Sequence, residues 1–316
     1  MQFSNLALSG WSYEKGDKEI PVEEAGIPDR IIKRNPAKST YVYSDPSDWR
    51  ERLQHHSKKA AEMAGITEDN IQAFFGVHNG YKKHPEGASP VSMLAFPNSQ
   101  AFQLDYSLGC ASVIMGAQLA GLHFSHPGTE MQNIIMGAVQ MTTQYTSDMT
   151  DGNALFADSI GTLAFSKKSD GNQIKFTQIN SNANFYDMFQ LDDDGFYQIH
   201  NLHKGRDLTE FMIKAFSEQY RNSCMALKTM PKNLDYVVMS CSTHSATKRV
   251  LEAMQIPLER TGLECMEKIP HMGTNDLIYQ IEHGIEQGMI KKGSKILITG
   301  TSLGFSIATM AVEWGS

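Results

Sequence analysis

Apolar residues follow two rhythms along this chain, one at helical spacing and one in short unbroken runs, and their alternation sets the predicted architecture. Residues 208–227 put Phe211, Met212, Ala215, Phe216 and Tyr220 on one stripe, which predicts an amphipathic helix. Residues 48–64 carry Ala60, Ala61 and Met63 on an inner face and stop at Gly65, which predicts another. Two more helices are predicted over 245–254 and 277–287, the second with Ile278, Ile281 and Ile285 at helical spacing. Apolar runs at 3–8, 71–77, 133–141, 174–179, 235–239 and 295–299 are predicted strands, and 151–165 ends in strand-like alternation. Runs this apolar, set between helices, belong to strands covered on both faces. The fold class is therefore α/β with crossover helices.

The stretch 105–120, DYSLGCASVIMGAQLA, departs from that plain pattern. A strand-like approach through Phe102, Leu104 and Tyr106 runs into Gly109 and Cys110, and Ala111, Val113, Ile114, Ala117 and Leu119 continue as an apolar helix without a charged residue. Cys110 is thus predicted at a strand-to-helix turn, in the first turn of a buried helix. Free backbone N–H groups and the positive end of the helix dipole favour a thiolate there. Most free cysteines are simply small buried hydrophobes, and this stretch by itself does not choose between that and catalysis.

Composition narrows the function classes. A chain of 316 residues buries a large core as one big domain or two intimate halves. The net charge of −7, with no run of Lys and Arg, argues against broad nucleic-acid binding. Cys110, Cys224, Cys241 and Cys265 lie far apart with no CxxC pair, so no metal site is expected and a reduced, cytoplasmic setting is the simpler reading. The beginning MQFSNLALSGWSYEKG lacks a basic start followed by a long apolar run, and no apolar stretch approaches the ~18 residues that span a bilayer, so no membrane association is expected. Pro21, Pro28, Pro36 and Pro46 mark a surface excursion, Asp192, Asp193 and Asp194 a solvated turn, and HNGYKKHPEGASP at 78–90 a loop reaching over a pocket or a partner subunit.

Several stretches together resemble the thiolase superfamily, and within it the ketoacyl-acyl-carrier-protein synthase III group. YSLGCASVIMGAQLA is similar to that family's small-residue cysteine helix, and LFADSIGTLAF resembles its Phe-x-Asp-Gly-Ala-Gly strand. HGIEQGMIKKGSKILITGTSLGFSIATMAVEW resembles its C-terminal helix, Gly-x-Ile-x-x-Gly turn, strand and Gly-rich closing loop. AGIPDRIIKR and AAEMAGITEDNI match further landmarks in the right order, so the resemblance covers nearly the whole chain. It implies a thiolase-like five-layered αβαβα fold of two similar halves, 1–166 with the nucleophile cysteine and 167–316 with a catalytic histidine, and a homodimer. The chemistry it implies is an acyl-thioester on Cys110 and transfer of the acyl group to a second substrate. An acyl-CoA or acyl-carrier-protein thioester is the donor, with no cofactor bound permanently.

Members of that family that condense decarboxylatively use Cys, His and Asn, the last two donating hydrogen bonds to a malonyl thioester carbonyl. Counting back from Gly288 places His271 where the Asn belongs, in the segment PHMGTND, and Asp276 lies five residues on, where it can orient the ring. Cys110, His271 and Asp276 then form a nucleophile, a base and an orienter, which resembles the family's acyltransferase branch. A structural histidine, and for Asp276 a helix N-cap before Leu277, are the plainer readings. The family's other histidine belongs at the end of the 235–239 strand: a gap-free match puts Ser240 or Cys241 there, and His244 fits only with inserted residues, so the second catalytic histidine is His244 or absent. The oxyanion hole is assigned to the N–H of Cys110 and one from the closing loop, Ser302-Leu303-Gly304, where Gly304 permits a tight turn or is an ordinary loop glycine. The Trp and Arg that stack on coenzyme A in the family are missing from EIPVEEAG, which makes an acyl carrier protein at least an equal donor. Lys82, Lys83, Lys291, Lys292 and Lys295 are its candidate contacts, and Met93, Leu94 and Phe96 candidate pocket walls. A decarboxylating 3-oxoacyl-acyl-carrier-protein synthase III and a non-catalytic partner subunit of an active homologue are the alternatives.

Overall fold

Alternation of side chains along buried strands organises the fold. In a strand such as Ala73–Asn79 successive residues point to opposite faces, so a continuous apolar run needs a packed layer on each side. The computed structural model describes residues 1–33, 35–79, 87–141, 150–151, 154–191, 197–199, 202–240, 243–302 and 306–315. The main strands are β1 (Leu6–Lys15), β2 (Ala73–Asn79), β3 (Phe102–Asp105), β4 (Asn133–Gln140), β5 (Ser159–Lys167), β6 (Asn172–Ser181), β7 (Tyr236–Ser240), β8 (Lys295–Thr301) and β9 (Ser306–Glu313). They form one sheet in the order β7-β8-β9-β6-β1-β5-β4-β2-β3.

That order holds the same pattern twice. In the first half β1 runs antiparallel to β5, β5 antiparallel to β4, and β4 parallel to β2. In the second β6 runs antiparallel to β9, β9 antiparallel to β8, and β8 parallel to β7. The outer neighbour of β2 is β3, and its counterpart beside β7 is a single parallel bridge between Val237 and Thr261. The halves meet where β1 pairs antiparallel with β6 at Ala7–Gln173 and Leu8–Asn172.

Helices complete the layers. Helices α1 (Trp49–Ala64) and α2 (Ala88–Met93) cover the outer face of the first half, while α4 (Gly205–Ala226) packs on β9 and β6, with α5 (His244–Ala253) against it, outside the second. Between the halves lie α3 (Ser112–Ser125), touching β1 and β5 on one side and β6, β8 and β9 on the other, and α6 (Asp276–Glu286), touching β7 and β1. Phe75 and Val77 of β2, Tyr236 and Val238 of β7, and Ile296 and Ile298 of β8 point into this central core. Their neighbours Phe74, Val237 and Leu297 point to the outer layers. A helix squeezed between two sheets needs small residues: a Cβ on Gly116 would collide with the Tyr106 hydroxyl.

Most predicted elements are present within a few residues, and the departures have physical reasons. The strand predicted over 3–8 extends to Lys15, because Gly10, Ser12 and Glu14 interrupt the apolar run yet still pair with β5, past an irregularity at Ser9 where the register shifts. Strand β9, SIATMAVE, was not legible as a strand in the closing segment, although it is buried along nearly its whole length. Met63, expected on the inner face of α1, is 55% exposed, whereas Ala60 and Ala61 are buried. Leu94 is 62% exposed, and Phe96 packs with Phe74 in the outer layer of the first half, so neither forms a wall beside Cys110. The acidic turn at 192–194 and most of the loop at 78–90 lie outside the described residues. Among the described residues no helix is long and apolar enough to cross a membrane.

Phe75 is fully buried between the halves and meets Tyr106 edge-on at 6.1 Å between ring centroids. Phe75→Ala is expected to lower the unfolding free energy by about 3–5 kcal/mol in urea titration. Leu94→Ala is expected to stay within about 0.5 kcal/mol of the parent.

Candidate active site

The turn that presents Cys110 exists because Gly109 adopts φ +50, a left-handed conformation that glycine takes without steric cost. Its carbonyl is fixed from two sides, by the Ser112 hydroxyl at 2.7 Å and the Thr274 hydroxyl at 3.1 Å, and the Leu108 N–H donates to Ser112 Oγ at 2.9 Å. Gly300 of β8 lies alongside, with room that a Cβ would narrow to 3.2 Å from the Cys110 carbonyl. Helix α3 begins only at Ser112, with Ala111 as its N-cap, so Cys110 stands just ahead of the first turn in which it was expected. The thiol is half-buried.

The opposing side comes from the chain between β7 and α6. Around His271 the backbone is extended and held in strand fashion: the His271 N–H donates to Leu155 O at 3.0 Å and the Ala157 N–H to His271 O at 3.0 Å. The ring rests against Phe156, with centroids 5.1 Å apart. After Met272 the chain turns at Gly273, φ +61, where a Cβ would run into the Gln140 side chain, and it enters α6 at Asp276. Asn275 donates to Ser159 Oγ at 3.0 Å, which fastens this turn to β5.

These two sides place His271 Nε2 at 2.8 Å from Cys110 Sγ. The other ring nitrogen, Nδ1, donates to Asp276 Oδ2, since a carboxylate can only accept. Asp276 Oδ1 receives the Met272 N–H at 2.7 Å, and Oδ2 also receives the Ser240 hydroxyl at 3.0 Å. His271, Asp276 and Ser240 are buried. Burial by itself disfavours a charged imidazole, but Cys110 and Asp276 on its two sides outweigh that and push the His271 imidazolium well above the usual histidine range. The arrangement can therefore hold a proton between sulfur and nitrogen and deliver it to a departing or arriving group.

Cys110 is thus brought together with His271 and Asp276 from a place 161 residues away in the sequence. Ser240 stands at the end of β7, where the gap-free match put it, and its hydroxyl joins the group. His244 does not: it opens α5, with Nε2 3.4 Å from Glu267 Oε1, because Thr243 caps that helix and turns its first residue toward the neighbouring helix instead of the Cys110 turn. Cys241, Leu303, Gly304, Lys82 and Lys83 lie outside the described residues. Lys295 starts β8, and about 17 Å of strand separates it from Gly300 beside the thiol. Lys291 and Lys292 precede it at the same end of the sheet. The bonds from Thr274 and Ser240 were not foreseen; a serine closing a buried strand was the available signal.

Residues 224–314 match the family described as the C-terminal part of 3-oxoacyl-[acyl-carrier-protein (ACP)] synthase III. Beta-ketoacyl-[acyl-carrier-protein] synthase III of Listeria innocua is 20% identical over 263 residues, 82% of this chain and 81% of that protein. The enzyme of that name from Psychromonas ingrahamii is 23% identical over 271 residues, 82% of this chain and 80% of its own. The fold matches FabH, the 3-oxoacyl-(acyl carrier protein) synthase III of Xanthomonas oryzae, with a TM-score of 0.84 at 14% identity, covering 99% of this chain and 100% of that one. It matches OleA of Xanthomonas campestris with a TM-score of 0.83 at 13% identity, covering 99% and 98%. The fold is thus shared from end to end with these proteins, and the segment similar to the C-terminal part of 3-oxoacyl-[acyl-carrier-protein] synthase III carries His271 and Asp276.

Proposed function

We propose that this chain is a cysteine-dependent acyltransferase that takes an acyl group from a CoA or acyl-carrier-protein thioester onto Cys110 and passes it to a second substrate. The observation that carries the reading is the contact of Cys110 Sγ with His271 Nε2 at 2.8 Å, with Asp276 on the far side of the ring. His271 takes the thiol proton and the thiolate attacks the donor carbonyl. The oxyanion is held by the Cys110 N–H and, in this reading, by Gly304. As the tetrahedral adduct collapses, the donor thiol leaves with the proton from His271 Nε2, and the acyl group stays on sulfur as a thioester. A second substrate then gives its hydroxyl or amine proton to Nε2 and attacks that thioester, and Cys110 departs as the thiolate. Asp276 keeps the Nδ1 proton in place throughout, so that Nε2 is the nitrogen that exchanges protons. Nothing in the cycle needs a permanently bound cofactor.

A decarboxylating condensation is the second reading, and the names of the relatives favour it. It calls for two donors at the malonyl carbonyl to stabilise an enolate. Among the described residues His271 alone offers a side-chain N–H beside Cys110, since Ser240 occupies the second position and its hydroxyl is turned to Asp276. The acyltransferase reading takes 1–166 and 167–316 as the two halves, a cytoplasmic setting, and a homodimer that can form along the open edge of β3, where Phe102 is 41% exposed. A purely non-catalytic partner subunit would have no use for the Cys110–His271 contact, and turnover by the purified chain alone would dismiss it.

In intact-protein mass spectrometry after incubation with acyl-CoA and acyl-carrier thioesters, the parent is expected to gain one acyl group and Cys110→Ala none; a stable adduct on the variant contradicts the assignment. His271→Ala is expected to slow loading by about 10²–10⁴-fold. With a malonyl thioester, carbon dioxide released in step with product would replace the first reading by the second.

A further inference from the structure

Ser240 has a single hydroxyl hydrogen and two acceptors within reach: Asp276 Oδ2 at 3.0 Å and the carbonyl of Gly273 at 3.3 Å. It is fully buried at the last position of β7, in register with Gly300, the residue that flanks the Cys110 turn. It is thus held by the sheet, whereas Asp276 and Gly273 belong to the turn and helix that carry His271. The oxygen it reaches is the one that holds the His271 Nδ1–H, while the other carboxylate oxygen is taken by the Met272 N–H.

We infer that Ser240 is a positioning residue that sets the strength of the His271 base by competing for Asp276 Oδ2. A hydrogen bond to a carboxylate spreads its charge and weakens its pull on a neighbouring proton. When Cys110 carries an acyl group its negative charge is gone, and His271 must lose its proton before it can accept one from the incoming nucleophile. With the Ser240 hydroxyl on Oδ2, Asp276 stabilises imidazolium less, and neutral imidazole forms at a lower pH. The Gly273 carbonyl gives the hydroxyl a second resting place when Oδ2 is drawn to His271. Among the described residues Cys110 and Asp276 are the titratable groups that act on His271, from the turn before α3 and from the start of α6. Cys265, which acts on Asp276 in turn, has its thiol pushed up to about 12 chiefly by burial and stays neutral. This inference rests on the acyltransferase reading of Cys110 and His271.

The test separates the two. Cys110 is acylated with p-nitrophenyl hexanoate, excess reagent is removed, and loss of the adduct to hydroxylamine is followed by intact mass between about pH 5 and 9. The parent is expected to lose the adduct with an acid limb set by His271. Ser240→Ala is expected to move that limb up by about half a pH unit, which is about threefold slower transfer on the acid side with the alkaline plateau kept. Ser240→Thr, which retains the hydroxyl, should restore the parental limb, and Ser240→Cys carries the same comparison if the alanine variant does not fold. A Ser240→Ala profile lowered equally at every pH, or superimposable on the parent, overturns the role given to Ser240. Failure of the parent to form the adduct overturns the acyltransferase reading itself, and this inference with it.

Discussion

One buried carboxylate ties the site together. Asp276 has lost its water, and an ionised carboxylate in such a place persists only when its lone pairs are taken up by donors. The Met272 N–H, the Ser240 hydroxyl and the His271 ring supply them. The Ser240 hydroxyl comes from the end of β7, whereas the Met272 N–H and the His271 ring belong to adjacent residues of the segment that pairs with Leu155 and Ala157 and turns into α6. Satisfying that one charge therefore fixes the turn, the strand end and the imidazole relative to one another. The thiol is brought to the free nitrogen by a separate set of bonds around the Gly109 carbonyl, which Thr274 shares with the His271 turn.

The site sits where it does because the fold repeats one strand order twice and stacks the two copies about α3 and α6. Each half delivers one reactive group to the joint. The first half brings Cys110 at the entrance to α3, and the second brings His271 and Asp276 at the entrance to α6. Apolar packing of Phe75, Tyr236, Ile298 and their neighbours in the central layer holds the two helix starts in fixed relation, so a 2.8 Å contact can form between residues 161 positions apart. A loose joint would leave the imidazole and the thiol too far apart to share a proton.

The functional consequence of this geometry lies in one substitution of chemistry at the end of β7. A histidine there would offer a second ring N–H toward a bound carbonyl. Ser240 offers a hydroxyl already engaged with Asp276, and His244, at the start of α5, has Nε2 3.4 Å from Glu267 Oε1. Among the described residues the polar hydrogens around Cys110 are those of one base, His271, an arrangement in keeping with the acyl transfer proposed above.

The residue pattern by itself determined the class of fold and the position of most elements, because burial on both faces forces continuous apolar runs and amphipathic helices forces a 3.6-residue period. Both are local signals that survive in one dimension. It also marked Cys110 as a candidate, through the strand-to-helix turn and the small residues of its helix, while His271 and Asp276 were picked out by the resemblance to the thiolase superfamily, counting back from Gly288. Strand β9 and the extension of β1 stayed hidden, since their polar and small residues gain a buried setting only from partners β6, β8 and β5 far away in sequence. The choice between Ser240 and His244 was likewise closed to spacing: a strand end and a helix cap three residues apart point opposite ways, and only the packing of β7 against α6 and of α5 against the chain around Glu267 decides which side chain meets the buried carboxylate.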